Sequence, residues 1–197
     1  MNLVLASASA SRRRMLEAAG IKFQISAADL NEDALTADLQ SKGADAAGIA
    51  LGLAEQKAMA VSRRMPGDMV LGADSVLALG PELIGKCRDL DALKTLLRKM
   101  SGKTHHLISA AALARDGAVF WRHSDMARLT MRRFTHSFLD AYVAAEGRAV
   151  LSSVGGYHYE GRGAQLFEHV TGDSFTIQGL PLLPVLAALR AEGFLTA

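Results

Sequence analysis

Residues 2–16 read NLVLASASASRRRML, and the order of types within them decides the fold class. Residues 2–6 (NLVLA) read as a short buried strand. Three small hydroxyl residues follow, Ser7, Ser9 and Ser11. From Arg12 to Ala19 the spacing places Leu16 and Ala19 on one helical face, and Gly20 is a C-terminal stop. A strand, a serine loop and a helix form the opening half of a layered α/β unit.

The rest of the chain continues that alternation. Residues 22–27 (KFQISA) alternate well enough for a second strand, and 44–64 are rich in Ala, Leu and Met, which predicts a long helix ended by Pro66 and Gly67. Residues 69–79 (MVLGADSVLAL) predict a buried strand interrupted by the polar pair Asp74 and Ser75. Asp89 or Asp91 can cap a helix carrying Leu93, Leu96, Leu97 and Met100 at helical spacing, stopped by Ser101 and Gly102. Residues 104–131 read as two strands joined at Arg115-Asp116-Gly117, because Asp-Gly between apolar runs signals a hairpin. A further helix is predicted at 138–145, a glycine-rich loop at 154–163 (VGGYHYEGRG) and a closing helix at 181–192. The prediction is an α/β or α+β fold with a mixed sheet. No linker, repeat or low-complexity tract divides the 197 residues, so they read as a single domain. A chain of this length buries roughly 70% of its unfolded surface, enough for one core or for two lobes around a cleft.

Composition narrows the function classes. With 50% hydrophobic, 21% charged and 6% aromatic positions the chain is globular, and disorder is excluded as its main state. Twenty-two Lys and Arg stand against twenty Asp and Glu, scattered apart from Arg12 to Arg14, a balance that argues against nucleic-acid partners. The opening residues lack a basic n-region and their apolar stretch is too short for a membrane span or a signal h-region. Their Ser, Ala and Arg content has some transit-peptide character, but 2–6 read better as a strand. The single Cys87 cannot pair within the chain and points to a reducing compartment or an inert thiol, with the cytoplasm as the default expectation.

Several familiar chemistries fail on inspection. Ser101-Gly102-Lys103-Thr104 supplies the end of a phosphate-loop pattern, but Leu97 stands where its first glycine is required. GPELIGKC (80–87) has both glycines and Lys86, yet Pro81 has no N–H to offer, Glu82 would repel a phosphate, and Cys87 replaces the metal-binding hydroxyl; a hairpin turn is the better reading of Gly80. The six histidines show no zinc-ligand spacing, and no serine sits in a nucleophile elbow.

What remains is a dispersed set of charged groups at element ends. Arg12 and Arg13 at the start of a helix, after a loop of hydroxyls, form an anion site from N–H groups, hydroxyls and guanidinium forks. The alternative is a solvated basic first turn, which the helix dipole disfavours. Asp74 inside an apolar strand costs several kcal/mol unless it is paired or metal-bound, so it is either functional or half of a structural ion pair. Glu32 and Asp33 after the second strand either join Asp74 in a hard-oxygen site for Mg²⁺ or belong to a solvated loop.

At this point the residues resemble a known family. LASASASRRRML (5–16) resembles the Leu-Ala-Ser-x-Ser-Pro-x-Arg-Arg signature of the Maf (septum formation) nucleotide pyrophosphatases, with Ala10 in place of the usual proline. LAEQKA with Lys57, LGADSV with Asp74, IGKCRD with Lys86, and VGGYHYEGRG running into IQGLPL follow in the family's order, so the resemblance covers nearly the whole chain. Cys87 also replaces a proline common in the family. Both departures affect loop rigidity rather than any charged group.

The resemblance implies a two-lobed fold similar to the inosine triphosphatases, with the nucleotide in a central cleft, and hydrolysis of a nucleoside triphosphate to monophosphate and pyrophosphate with Mg²⁺ or Mn²⁺. By the same resemblance Asp74 is the proton acceptor or metal-linked carboxylate, Glu32 its acidic partner at the metal, and Ser9, Arg12, Arg13, Lys57 and Lys86 the triphosphate cradle. Such a reaction needs charge neutralised on a leaving pyrophosphate and a positioned water, which metal, Lys and Arg supply.

Substrate choice turns on the loop where many members carry Ile-Gln-Gly and prefer dTTP and UTP. Here it reads Tyr159-Glu160-Gly161, similar to the branch acting on 7-methyl-GTP. A carboxylate at Glu160 accepts two hydrogen bonds from the N1–H and amino edge of guanine and favours a base made cationic by methylation. Ser11 and Ser75 match the other positions that differ between branches, without the aromatic or the amide of the 7-methyl-GTP branch; a dTTP/UTP or broader preference therefore stays open. A regulator of cell division that binds nucleotide is the alternative from another class. Trp121, Tyr142 and the hairpin arms are the candidates for a homodimer surface.

Overall fold

A computed structural model describes residues 2–196, and they divide into two compact units. The first takes the described residues up to Ser75, then Ile108–Asp125 and everything from Ser174 onward; the second takes Val76–Leu107 and Met126–Asp173.

In the first unit β1 (Leu3–Leu5) lies parallel between β2 (Gln24–Ile25) and the start of β3 (Met69–Leu79), with Leu3 opposite Met69 and Leu5 opposite both Leu71 and Ile25. β5 (Thr104–Arg115) and β6 (Ala118–Met131) continue the sheet. Side chains along a strand alternate between faces, and in β1 and β3 both sets are apolar because both faces are covered. Leu3, Leu5, Met69, Leu71 and Ala73 pack with Leu16 of α1 (Ala10–Ala18) and with Val185 and Leu189 of α7 (Leu182–Ala191). Val4 and Val70 face the other way, onto Val61 of α3 (Ala46–Ser62). Burying side chains of this size stabilises each by about 1.5–3 kcal/mol.

Gly72 sets how closely α3 approaches. A Cβ there would stand 2.1 Å from the Ala54 carbonyl oxygen and 2.6 Å from the Ala58 nitrogen, so only glycine lets the helix backbone lie this near the strand.

In the second unit the end of β3 pairs antiparallel with β4 (Glu82–Ile84), and β7 (Phe167–Thr171) pairs antiparallel with the end of β6. Parallel and antiparallel pairs together make this the mixed α/β architecture expected. α4 (Leu90–Met100) is capped by the Asp89 carboxylate, and α5 (His136–Glu146) by Thr135. Lys94 of α4 pairs with Asp140 of α5 at 2.7 Å.

The structure sharpens several expectations. β3 and the hairpin fall where the pattern put them, and Asp116 and Gly117 both take positive φ (51° and 82°), as a two-residue turn between twisted strands requires. Gly80 is also in a turn, between β3 and β4. The second strand shrinks to two exposed residues. Glu32 and Asp33 do not lie in a solvated loop: they open α2 (Glu32–Ser41), capped by Asn31, whose side chain accepts from the Ala34 N–H at 3.0 Å. β7 and α6 (Ser174–Gln178) were unforeseen. Among the described residues no helix is long and apolar enough to cross a membrane.

Candidate active site

The two charged groups singled out in the sequence lie on opposite faces of β3 in the first unit. Even-numbered residues face α3 and odd-numbered ones face α1 and α7. Asp74 therefore meets α3, and Ser75 meets Arg12.

Arg12 sits in the first turn of α1, which Ser9 caps: the Ser9 Oγ accepts from the Arg12 N–H. The side chain is buried, with 8% of the residue exposed. Its Nε donates to the Gly179 carbonyl at 2.7 Å, Nη1 to Ser7 Oγ at 3.0 Å and Nη2 to Ser75 Oγ at 3.0 Å. All three acceptors are neutral. Burial pushes the pKa of Arg12 below the ordinary arginine value, and the charges of Asp74 and Glu32 oppose that shift. An arginine still keeps its proton, so this is a desolvated cation pointed by three neutral oxygens. Such a group attracts a bidentate anion such as phosphate. The solvated basic first turn is thus set aside for Arg12, though not for Arg13, which is exposed and pairs with Glu17 at 3.5 Å.

On the other face Lys57 of α3 reaches Asp74. Its Nζ donates to Asp74 Oδ1 at 2.6 Å and lies 2.9 Å from Glu32 Oε1. Lys57 and Asp74 are both buried, whereas the Glu32 side chain is 49% exposed. The close approach at Gly72 puts the ammonium within reach, because Lys57 lies in the helical turn between Ala54 and Ala58. Glu32 in the first turn of α2 is also favoured by the helix dipole.

Among the described residues no group of three or more His, Cys, Asp or Glu side chains is arranged to hold a metal ion. Mg²⁺, however, is ordinarily held by one or two carboxylates together with substrate phosphates. Glu32 and Asp74, both in contact with the Lys57 ammonium, are the two carboxylates here that could hold such an ion.

The remaining residues expected at a site lie as follows. Ser11 donates to the Gln178 carbonyl at 2.9 Å, in the first unit. Lys86 and Glu160 belong to the second unit, both exposed. The segment carrying Glu160 is anchored by Tyr157, which is buried, contacts His105 Nε2 at 2.8 Å through its hydroxyl, and meets the Phe167 ring edge-on. Burial holds His105 down to about 4 and raises the Tyr157 phenol. Tyr142 is no surface residue: it is buried and donates to the Gly156 carbonyl at 3.2 Å. Trp121 stacks on His123.

Sequence reasoning missed the oxygens that hold Arg12. Ser7 was read only as part of the hydroxyl loop, and Gly179 only as part of a motif. Ser109 went unremarked, although a polar residue inside the apolar run ISAAALA carries the same signal as Asp74 inside its own strand.

The fold is mixed α/β, with a buried, neutrally held guanidinium on one face of β3 and a carboxylate–ammonium pair on the other. The family model described as Maf-like protein matches residues 2–192, and the chain belongs to the Maf family. It is 49% identical over 192 residues to the 7-methyl-GTP pyrophosphatase of Brucella abortus, spanning 98% of this chain and 96% of that protein. It is 43% identical over 196 residues to the nucleoside triphosphate pyrophosphatase of Granulibacter bethesdensis, over the whole of both. Among solved structures it is similar to a HAM1 protein from Coxiella burnetii, at 18% identity and a TM-score of 0.42, covering 68% of this chain and 74% of that one.

Proposed function

We propose that the protein hydrolyses the α–β phosphoanhydride bond of a nucleoside triphosphate, releasing the monophosphate and pyrophosphate, with 7-methyl-GTP as its preferred substrate. The observation that carries the reading is the arrangement on β3. Asp74, buried and held by Lys57, sits one residue from Ser75, which holds the buried guanidinium of Arg12. The two groups leave opposite faces of β3, yet the charges of Asp74 and Glu32 still reach the Arg12 guanidinium, and a general base beside an anion clamp suits displacement at phosphorus.

In this reading a water oxygen attacks the α-phosphorus, the bond to the α–β bridging oxygen breaks, and the water's proton passes to the Asp74 carboxylate. Arg12 takes the phosphate oxygens on its outer N–H groups. Lys57 holds the Asp74 carboxylate by its 2.6 Å hydrogen bond and stands ready to share its charge with the phosphates. Glu32 and Asp74, together with the substrate phosphates, would hold a divalent cation, which would supply charge neutralisation on the leaving pyrophosphate. Ser9, Arg13 and Lys86 are assigned to the phosphate chain, Ser11 and Ser75 to substrate binding at positions that differ between branches of the family, and Glu160 to the N1–H and amino edge of guanine. Relatives named 7-methyl-GTP pyrophosphatase at 49% identity support that choice of base. The single cysteine suits a cytoplasmic location.

The test is pyrophosphate release from 7-methyl-GTP, GTP, CTP, UTP and dTTP with Mg²⁺ or Mn²⁺. Preference for 7-methyl-GTP in the wild type and loss of release in a folded Asp74→Asn variant are expected. A folded, fully active Asp74→Asn protein overturns the role of Asp74, and silence on every triphosphate overturns the activity.

A further inference from the structure

Ser109 lies on β5 in the first unit with no exposed surface. Its Oγ is 2.8 Å from the Thr176 carbonyl oxygen and 2.9 Å from Ser75 Oγ. A serine hydroxyl carries one proton. The Thr176 carbonyl can only accept, so Ser109 donates to it, and in the contact between the two serines Ser109 must be the acceptor. Ser75 then spends its own proton on Ser109 and turns its lone pairs to the Nη2 group of Arg12, 3.0 Å away. The Gly179 carbonyl, 3.3 Å from Ser75 Oγ, is a second and longer acceptor for that proton; along the shorter contacts the donors run Arg12 to Ser75, Ser75 to Ser109, Ser109 to Thr176.

We propose that Ser109 is a positioning residue for the Arg12 guanidinium and acts on it through Ser75. This rests on the reading of Arg12 as the phosphate clamp. Chains of hydrogen bonds polarise one another in a buried setting, so the terminal carbonyl makes Ser75 a better acceptor for the cation. The chain also settles which way Ser75 points. Without the Ser109 oxygen, the Ser75 proton turns to the Gly179 carbonyl, 3.3 Å away, the same oxygen that holds Arg12 Nε. Ser75 then competes with Arg12 Nε for one carbonyl and is a less polarised acceptor for Nη2, so two prongs of the fork are weakened while Nη1 keeps Ser7. Ser109 touches no substrate in this scheme, so its effect falls on anion binding.

The experiment is a double-mutant cycle on the full chain, reading the affinity for inorganic tripolyphosphate by calorimetry for the wild type, Ser109→Ala, Ser75→Ala and the double variant, each first shown to keep its cooperative melt. Ser109→Ala is expected to weaken binding about ten-fold, and the double variant to bind no more weakly than Ser75→Ala alone, because one chain is broken in both. With nucleotide substrate the same loss is expected in KM, with kcat changed less than about three-fold. A folded Ser109→Ala protein that binds tripolyphosphate like the wild type overturns the inference. So do losses that simply add in the double variant. Tripolyphosphate that fails to bind the wild type removes the clamp and the inference with it. A wild type that binds tripolyphosphate and shows the coupling, yet releases no pyrophosphate from any nucleotide, overturns the proposed activity and leaves the role of Ser109 standing.

Discussion

The Nζ of Lys57 lies 2.6 Å from Oδ1 of Asp74, with both side chains nearly shielded from water and Glu32 completing the group from the exposed side at 2.9 Å. The charges of both acids also act on the buried Arg12 guanidinium. The three residues differ in what their removal leaves behind.

Lys57→Met strands Asp74 as a buried charge, and removing one partner of a buried pair costs about 3–5 kcal/mol. Glu32→Gln leaves the Lys57–Asp74 pair intact and removes only a half-exposed contact, worth less than about 1 kcal/mol. Urea denaturation of the two variants should separate them by that margin, and equal stabilities would show that Asp74 does not depend on Lys57.

Gly72→Ala should act through distance. The added methyl would overlap the Ala54 carbonyl at 2.1 Å, so α3 must withdraw from β3 and carry Lys57 with it. Overpacking of this kind costs about 1–3 kcal/mol or more. A melting temperature lowered by several degrees with pyrophosphate release reduced at least ten-fold is expected; an unchanged turnover would show that the Lys57–Asp74 contact tolerates a shifted helix.

His105 predicts a dependence of stability on pH. Burial depresses its pKa to about 4 in the folded protein, against about 6.5 in the unfolded chain. The unfolded chain therefore binds the extra proton between these values, so stability is complete above about pH 6.5 and falls as the pH drops toward 4. The loss at pH 4 is about 3 kcal/mol relative to neutral pH. Denaturant titrations from pH 7.5 to 4 should show this slope in the wild type and a shallower one in His105→Phe; the same slope in both would assign it to other groups.

Glu160→Gln tests base reading without touching Asp74 or Arg12. An amide presents one donor and one acceptor edge, which suits uracil or thymine better than guanine. The ratio of kcat/KM for 7-methyl-GTP over UTP should fall by about ten-fold or more, the effect of leaving a base edge unpaired, and a ratio that does not move would place base selection elsewhere.

How much of this was legible in the sequence depended on the range of the interactions. β3 was readable to its ends because eleven residues of apolar pattern are enclosed by Pro66-Gly67 and Gly80. Asp74 stood out there because an ionised carboxylate in an apolar run demands an explanation. α2 was not readable. None of its residues is buried and its apolar face is only the half-buried pair Leu35 and Leu39, a weak signal, and it forms on a side-chain cap and on Leu39 packing against α3 at Gly52. β7, with its alternation broken by two consecutive exposed residues, Glu168 and His169, left an equally weak pattern.

The strand, serine loop and helix at the start, the hairpin turn at Asp116-Gly117, and the polar interruption of an apolar strand are local, and the sequence by itself determined them, because backbone preference and hydrophobic period act over a few residues. The partners of the functional groups are another matter. Arg12 is held by a carbonyl 167 positions away and by a serine 63 positions away, and Asp74 is neutralised by a lysine on a helix that only Gly72 lets so near. Only the tertiary structure decided these, since burial is what turns a surface arginine into a desolvated clamp and an isolated carboxylate into a paired one, and burial belongs to the packed molecule rather than to any stretch of it.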